Sequence, residues 1–216
     1  MSDKVTNLLL IALLAVSTGL FVHRNYLLPP PASVATTVPV FFDNWRDIRS
    51  AGVTDDTTAK VQIIEFVDFE CPFCASFTQV TLPALRERYD VGLTMVHFPL
   101  PGHRFAVATA NMAECARTEG RFFHTARLLL AKQDSFGLKP WNEYAVEAGI
   151  TNIPAWKNCV DSEGGKRAIE QGKAAGASVP VTGTPTLLFN GWKLPPLGVE
   201  DLSGAIRNIL AGKSPS

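Results

Sequence analysis

The sequence predicts an α/β domain, a small mixed sheet with helices on both faces and an inserted block of helices. Three observations predict it. The apolar, β-rich run Val61-Gln62-Ile63-Ile64-Glu65-Phe66-Val67 reads as a buried strand and leads into Glu70-Cys71-Pro72-Phe73-Cys74 and a helical pattern. A second strand at residues 93–98 completes a strand–helix–strand unit. Near the C terminus, Thr186–Phe189 and Trp192–Leu194 flank Asn190-Gly191, a hairpin signal, and an amphipathic helix follows over Val199–Leu210.

Taken in order, residues 5–22 are apolar, broken by Thr6, Asn7, Ser17, Thr18 and Gly19, and end at His23-Arg24. That length lies between a signal-peptide core and a short membrane helix. No small-x-small cleavage site follows, so residues 1–26 are expected to be a signal anchor, with a cleaved signal peptide as the alternative. Pro29-Pro30-Pro31 and the stretch to Pro39 read as a semi-rigid extended linker. Residues 42–51, with Asp43 or Asn44 as N-cap, suit a short helix. Linker and helix are assigned to 27–58, and the domain proper to 59–213.

Within that domain, Phe73, Phe77, Val80, Leu82, Leu85 and Tyr89 recur near helical spacing over 72–89. Pro83 lacks a backbone donor and should kink this helix. Gly92 is expected to precede the second strand. A helical insertion is assigned to about 102–178, punctuated by Gly120, Gly137-Leu138-Lys139-Pro140 and Gly164-Gly165.

Composition narrows the function classes. The 216 residues hold 20 Lys plus Arg against 20 Asp plus Glu, with no basic run, which argues against nucleic-acid binding. Four cysteines are too few for a disulfide scaffold and suit one reactive pair plus two others.

The chemistry centres on Cys71 and Cys74. Two cysteines separated by two residues at a strand-to-helix boundary mark a redox or metal dithiol. Cys71 precedes Pro72, a residue suited to the first helical position. The positive helix end should then face the Cys71 sulfur and lower a thiol pKa that is ordinarily about 8.5. Cys74 lies one turn on and deeper. Cys71 is thus the expected exposed nucleophile and Cys74 the resolving thiol. Phe73 offers the thiolate no side-chain hydrogen bond, which predicts a milder oxidant, and it could instead line an apolar patch for unfolded polypeptides. Glu65 sits in an apolar strand, where a lone carboxylate is costly unless functional or paired, though an outward-facing position is the plainer alternative. Glu70 reads as a solvated loop carboxylate. His97 and His103 read as packed or capping histidines, with a place near the active site, polarising a group there, as the alternative for His103. Cys115, in line with Ala108 and Met112, and Cys159, after Trp156, both lie on inward helix faces. A four-cysteine metal site would need a second close pair, and none is present.

Three anchors in this order carry a family resemblance: the Glu65-to-Cys74 stretch, Phe98-Pro99-Leu100 with His103, and Val181-Thr182-Gly183-Thr184-Pro185-Thr186. From residue 61 to 210 the chain resembles the DsbA-like branch of the thioredoxin superfamily. The resemblance implies a thioredoxin fold with a helical subdomain and a thiol–disulfide oxidoreductase without a cofactor, exchanging disulfides through Cys71. It implies a cis bond at Pro185 facing the dithiol and keeping metal from it. Thr184, Phe73 and Pro72 are expected to meet the substrate, and Glu65 to pass protons to or from Cys74. It favours a Cys115–Cys159 structural disulfide over two free core thiols. The implied partners are unfolded or reduced secreted proteins and a membrane quinone-linked oxidase of the DsbB or vitamin K epoxide reductase type. A secretory N terminus and a second disulfide point to an anchored domain outside the cytoplasm, in the periplasm or at the cell exterior. One departure is Phe73, where the best-known periplasmic oxidase has histidine. Reductase or isomerase activity, a non-catalytic chaperone, and metal delivery through Cys71 and Cys74 are the alternatives.

Overall fold

The structure, a computed structural model, describes residues 13, 15–18, 38–195 and 197–215. Residues 13 and 15–18 are helical and belong to a first unit, residues 1–36. The expected signal anchor or signal peptide and the proline linker lie largely outside the described residues. Among the described residues no helix is long and apolar enough to cross a membrane.

The second unit is built on a six-stranded sheet. Its strands are β1 (Val40–Phe41), β2 (Val53–Thr54), β3 (Val61–Val67), β4 (Val91–His97), β5 (Thr186–Phe189) and β6 (Trp192–Leu194), ordered β1-β6-β5-β3-β4-β2. β3 and β4 run parallel, and the remaining neighbours are antiparallel. Every residue of β3 and β4 is buried, as their near-continuous apolar runs require of strands covered on both faces. Alternation along β3 sends Ile64 and Phe66 to one core, with Trp45, Val96 and Leu188, and Val61, Ile63 and Val67 to the other, with both Cys71 and Cys74. Glu65 shares the register of Ile63 and Val67, so its carboxylate is directed to the dithiol side.

A short helix α1 (Trp45–Ser50) separates β1 and β2. The stretch expected as linker and helix, 27–58, therefore also supplies both sheet edges: Val40 and Phe41 pair with β6, and Val53 and Thr54 with β4. Two-residue edge strands carry too little periodicity to be read from sequence.

After β3 come α2 (Pro72–Ser76), a π-helical turn over Phe77–Thr81, and α3 (Leu82–Arg86). The π turn directly precedes the position of Pro83. One wider turn accommodates the missing backbone donor, where a simple kink was expected. Gly92 lies inside β4 and not ahead of it, and a Cβ there would come within 2.1 Å of the Asp56 carbonyl oxygen, so the strand position admits only glycine. The insertion comprises α4 (Ala106–Cys115), α5 (Phe122–Ala131), α6 (Trp141–Glu147), α7 (Ile153–Asp161) and α8 (Lys166–Ser178). Asn190 (φ 46°) and Gly191 (φ 93°) make the expected left-handed hairpin turn between β5 and β6. The last helix is α9 (Val199–Leu210).

Candidate active site

Cys71 is the N-cap of α2, in extended conformation, and Pro72 opens the helix. Its thiol donates to the Thr184 carbonyl oxygen at 3.1 Å, across 113 residues of sequence. The Thr184–Pro185 peptide bond is cis. Cys71 and Cys74 are both unbridged. Cys71 is 3% exposed and Cys74 is fully enclosed. The nucleophile expected at the surface thus lies beneath the Thr184–Pro185 turn, although Cys74 is the deeper sulfur, as expected. Phe73 beside it is 71% exposed.

The two sulfurs have opposite acidities. Cys71 is held down at about 5, chiefly because the Cys74 thiol donates to its sulfur; burial opposes this. The Thr184 hydroxyl, otherwise unpartnered among the described residues, adds to the lowering, as do the main-chain N–H groups of Cys74 and Phe73 at the helix start. Phe73 therefore contributes through its backbone, which any residue there would supply. Burial, then the hydrogen bond to Cys71 and the Glu65 carboxyl, push Cys74 well above the usual thiol range.

Glu65 is fully buried in β3. Burial, with the Cys71 charge second, raises its carboxyl well above the ordinary range, and the Thr78 hydroxyl and Cys74 thiol beside it only partly offset this. Thr78 lies on the π turn. The outward-facing alternative for Glu65 is excluded by its enclosure. A neutral acid here can give its proton to a Cys74 thiolate, and the carboxylate it leaves can take one back from the thiol.

The approach to the dithiol is tied down by residues whose contribution the sequence did not reveal. Asp68, 1% exposed, accepts from the main-chain N–H groups of Glu70 and Leu100, each at 2.8 Å, and lies 2.8 Å from His103 Nδ1. Its own carbonyl accepts from Cys71 N at 3.1 Å. Gln133, from the insertion, donates to the carbonyl oxygens of Phe69 (3.0 Å) and Cys71 (2.8 Å). Glu70 is not a free loop carboxylate; it accepts from Phe105 N, just ahead of α4. His97 is a packed residue, with Nε2 3.2 Å from Glu114 and its ring between Phe69 and Phe122.

Cys115 and Cys159 form a disulfide joining α4 to α7. Of the residues singled out in the sequence, the fold assembles Glu65, Cys71, Pro72, Phe73, Cys74, Thr184 and Pro185 at one end of β3. The Cys115–Cys159 bridge is a separate feature of the insertion.

The comparisons agree with this geometry. A family model described as Thioredoxin matches residues 53–208. BdbD from Bacillus subtilis superposes with a TM-score of 0.66 at 19% identity, covering 76% of this chain and 95% of that one. The catalytic domain of Proteus mirabilis ScsC gives 0.62 at 16% identity, covering 77% and 94%. Curated relatives are named as Na(+)/H(+) antiporters: NhaA 3 of Salinispora tropica is 32% identical over 71% of this chain and 24% of its own length. NhaA 1 of Mycolicibacterium gilvum is 30% identical over 92% of this chain and 32% of its own length. The chain thus spans about a quarter to a third of the length of these relatives. With a dithiol at a helix start, a cis-proline turn over it and a family match across most of the folded unit, the chain belongs to the thioredoxin family, and its fold is that of the DsbA-like thiol–disulfide oxidoreductases.

Proposed function

We propose that this protein is a thiol–disulfide oxidoreductase that exchanges disulfides with polypeptide substrates through Cys71. The observation that carries the reading is the Cys71 sulfur, strongly acidified at the start of α2 and facing Thr184 of the cis-proline turn. In the oxidising direction, a substrate thiolate attacks Cys71 Sγ of the Cys71–Cys74 disulfide. Cys74 leaves and takes a proton from Glu65. A second substrate thiolate then attacks the substrate sulfur of the mixed disulfide and releases Cys71 as thiolate. Two substrate thiols become one disulfide and the enzyme disulfide becomes a thiolate and a thiol; of the two substrate protons, one restores Glu65 and the other goes to solvent. Stabilising the Cys71 thiolate favours the reduced enzyme, and so favours this direction over reduction.

In our reading the domain, taken as 59–213 together with the edge strands before it, works outside the cytoplasm, in the periplasm or at the cell exterior, held by the apolar segment within 1–26. The Cys115–Cys159 disulfide supports an oxidising compartment. The antiporter relatives add support of a limited kind. The stretch shared with the Salinispora tropica protein is 155 residues, the size of one thioredoxin domain, so it speaks for the dithiol unit and not for ion transport. It also associates such a unit with proteins named for a membrane activity. Substrates would be reduced or unfolded secreted proteins, and reoxidation would fall to a membrane quinone-linked thiol oxidase of the DsbB or vitamin K epoxide reductase type.

A redox titration of the Cys71–Cys74 couple tests the direction. A potential near about −120 mV, that of DsbA, supports an oxidase; one near about −270 mV, that of thioredoxin, supports a reductase. Retention of disulfide-forming activity in Cys71→Ser overturns the catalytic reading altogether.

A further inference from the structure

A buried hydroxyl shares the site of Glu65. Thr78 is 4% exposed and lies on the π turn, four residues beyond Cys74 and so on the same inward face. α5 packs against both α2 and the π turn, which keeps water from this face. Both carboxyl oxygens of Glu65 and the hydroxyl oxygen of Thr78 are enclosed, and among the described residues none of the three closes a hydrogen bond at rest. A dry, unpaired hydroxyl is unfavourable. Threonine within a helix commonly gives it to a carbonyl one turn back, as Thr109 does to Phe105 at 2.9 Å. Thr78 does not; its hydroxyl stands beside the Glu65 carboxyl instead and favours its charged form. Its place on a π turn fits such a role, since these wider turns recur at functional sites.

We propose that Thr78 is a positioning residue for the proton step: its hydroxyl turns to donate to the Glu65 carboxylate that forms when Cys74 is released. The proposal rests on the thiol–disulfide reading. When a substrate thiolate opens the Cys71–Cys74 bond, Cys74 leaves with the bonding electron pair and takes the proton of Glu65. One S–S bond breaks, another forms, and the negative charge passes from the substrate sulfur to the Glu65 carboxylate. That charge arises in an enclosed site, where a donor already in place has to meet it. A neutral acid draws a hydroxyl weakly and a carboxylate draws it strongly, so a contact open at rest closes as the charge develops. A hydroxyl rotates about one bond and either donates or accepts. It can therefore follow Glu65 back to the neutral acid when a substrate proton restores it.

The test compares Thr78→Val, which removes the hydroxyl and keeps the shape, with Thr78→Ser, which keeps the hydroxyl. The first readout is the rate at which excess single-cysteine peptide opens the Cys71–Cys74 disulfide. The second is the titration of the Glu65 carboxyl, followed by infrared difference against Glu65→Gln. Thr78→Val should open about tenfold more slowly, the loss expected for one hydrogen bond to a charged group, and its carboxyl should titrate at higher pH than in wild type. Thr78→Ser should stay near wild type in both. In the Glu65→Gln background Thr78→Val should change the rate little, because no carboxylate forms there. Thr78→Ala lacks the same hydroxyl without the valine bulk and should repeat both changes where Thr78→Val does not fold. A wild-type rate and titration in Thr78→Val, or an equal slowing in the Glu65→Gln background, overturn the proposal and leave the oxidoreductase reading standing. A wild-type disulfide that opens to neither the peptide nor dithiothreitol overturns that reading itself.

Discussion

The thiol of Cys71 donates to the carbonyl oxygen of Thr184 at 3.1 Å, and the next peptide bond, to Pro185, is cis. Two segments far apart in sequence thereby share one reactive atom. The hydroxyl of the same threonine helps to hold the Cys71 thiol near 5, after the larger effect of Cys74.

Alkylation of reduced protein should therefore titrate with a midpoint near pH 5 rather than the ordinary ~8.5 of a free thiol. Thr184→Val should raise that midpoint by removing a donor. Phe73→Ala should leave it in place, because the backbone N–H persists. Stability follows by linkage. Between about 5 and the ordinary thiol value of about 8.5 the folded reduced protein binds fewer protons at Cys71 than the unfolded chain. That contribution grows as pH rises through this window and is lost as pH falls to 5. The oxidised protein lacks it. Melting curves of both forms across that range check the sign: the reduced protein should gain on the oxidised one as pH rises, and a relative loss contradicts it.

Glu65 carries the opposite sign. Its folded pKa lies well above 4.5, so above that pH the folded protein keeps a proton the unfolded chain has lost. Its effect on stability worsens as pH rises from 4.5. Glu65→Gln should gain stability relative to wild type over that range while losing about 10²- to 10⁴-fold in the rate at which Cys74 is exchanged, the usual size of a proton-transfer contribution. Rapid-mixing measurement of mixed-disulfide decay reads the second effect. An unchanged decay rate would remove Glu65 from the proton path.

Much of this site was legible in the sequence because local rules determine it. Pro72 after Cys71 specifies a helix start, Asn190-Gly191 specifies a hairpin, and a carboxylate inside Val61–Val67 is conspicuous. Pairings that only the closed fold creates were not legible. Nothing in the local sequence says that Gln133 reaches Phe69 and Cys71, that Asp68 gathers Leu100 and His103, or that Val40 and Phe41 leave the linker to edge the sheet. Polar residues of that kind read as ordinary loop surface until their partners arrive.

Gln133 tests one of these unread contacts. Gln133→Ala leaves the Phe69 and Cys71 carbonyls without their donor from the insertion, at a cost of about 1–3 kcal/mol. It should also loosen the chain carrying Cys71 and lower the oxidation rate of a reduced polypeptide, with the helical content kept. Denaturant unfolding and far-ultraviolet circular dichroism separate the two effects. A change below about 0.5 kcal/mol would mean that water replaces the amide without loss.

The Cys115–Cys159 bridge should matter to stability and not to the chemistry. It links residues 44 apart, and in the chain-entropy model closing a loop of that length contributes on the order of 4 kcal/mol. The Cys115→Ala/Cys159→Ala protein should melt about 10 °C lower, by the usual conversion for a domain of this size. The midpoint of Cys71 alkylation should not move. Gly164 supplies an independent check. A Cβ at Gly164 would lie 2.5 Å from the Cys159 sulfur, so Gly164→Ala must displace the bridge. In the double-alanine background that sulfur is gone and the same substitution meets less resistance. Gly164→Ala should thus cost more in the bridged protein than in the bridge-free one, a coupling that a double-mutant cycle measures. Equal costs in the two backgrounds would show that the glycine is required by its own backbone and not by the disulfide packed against it.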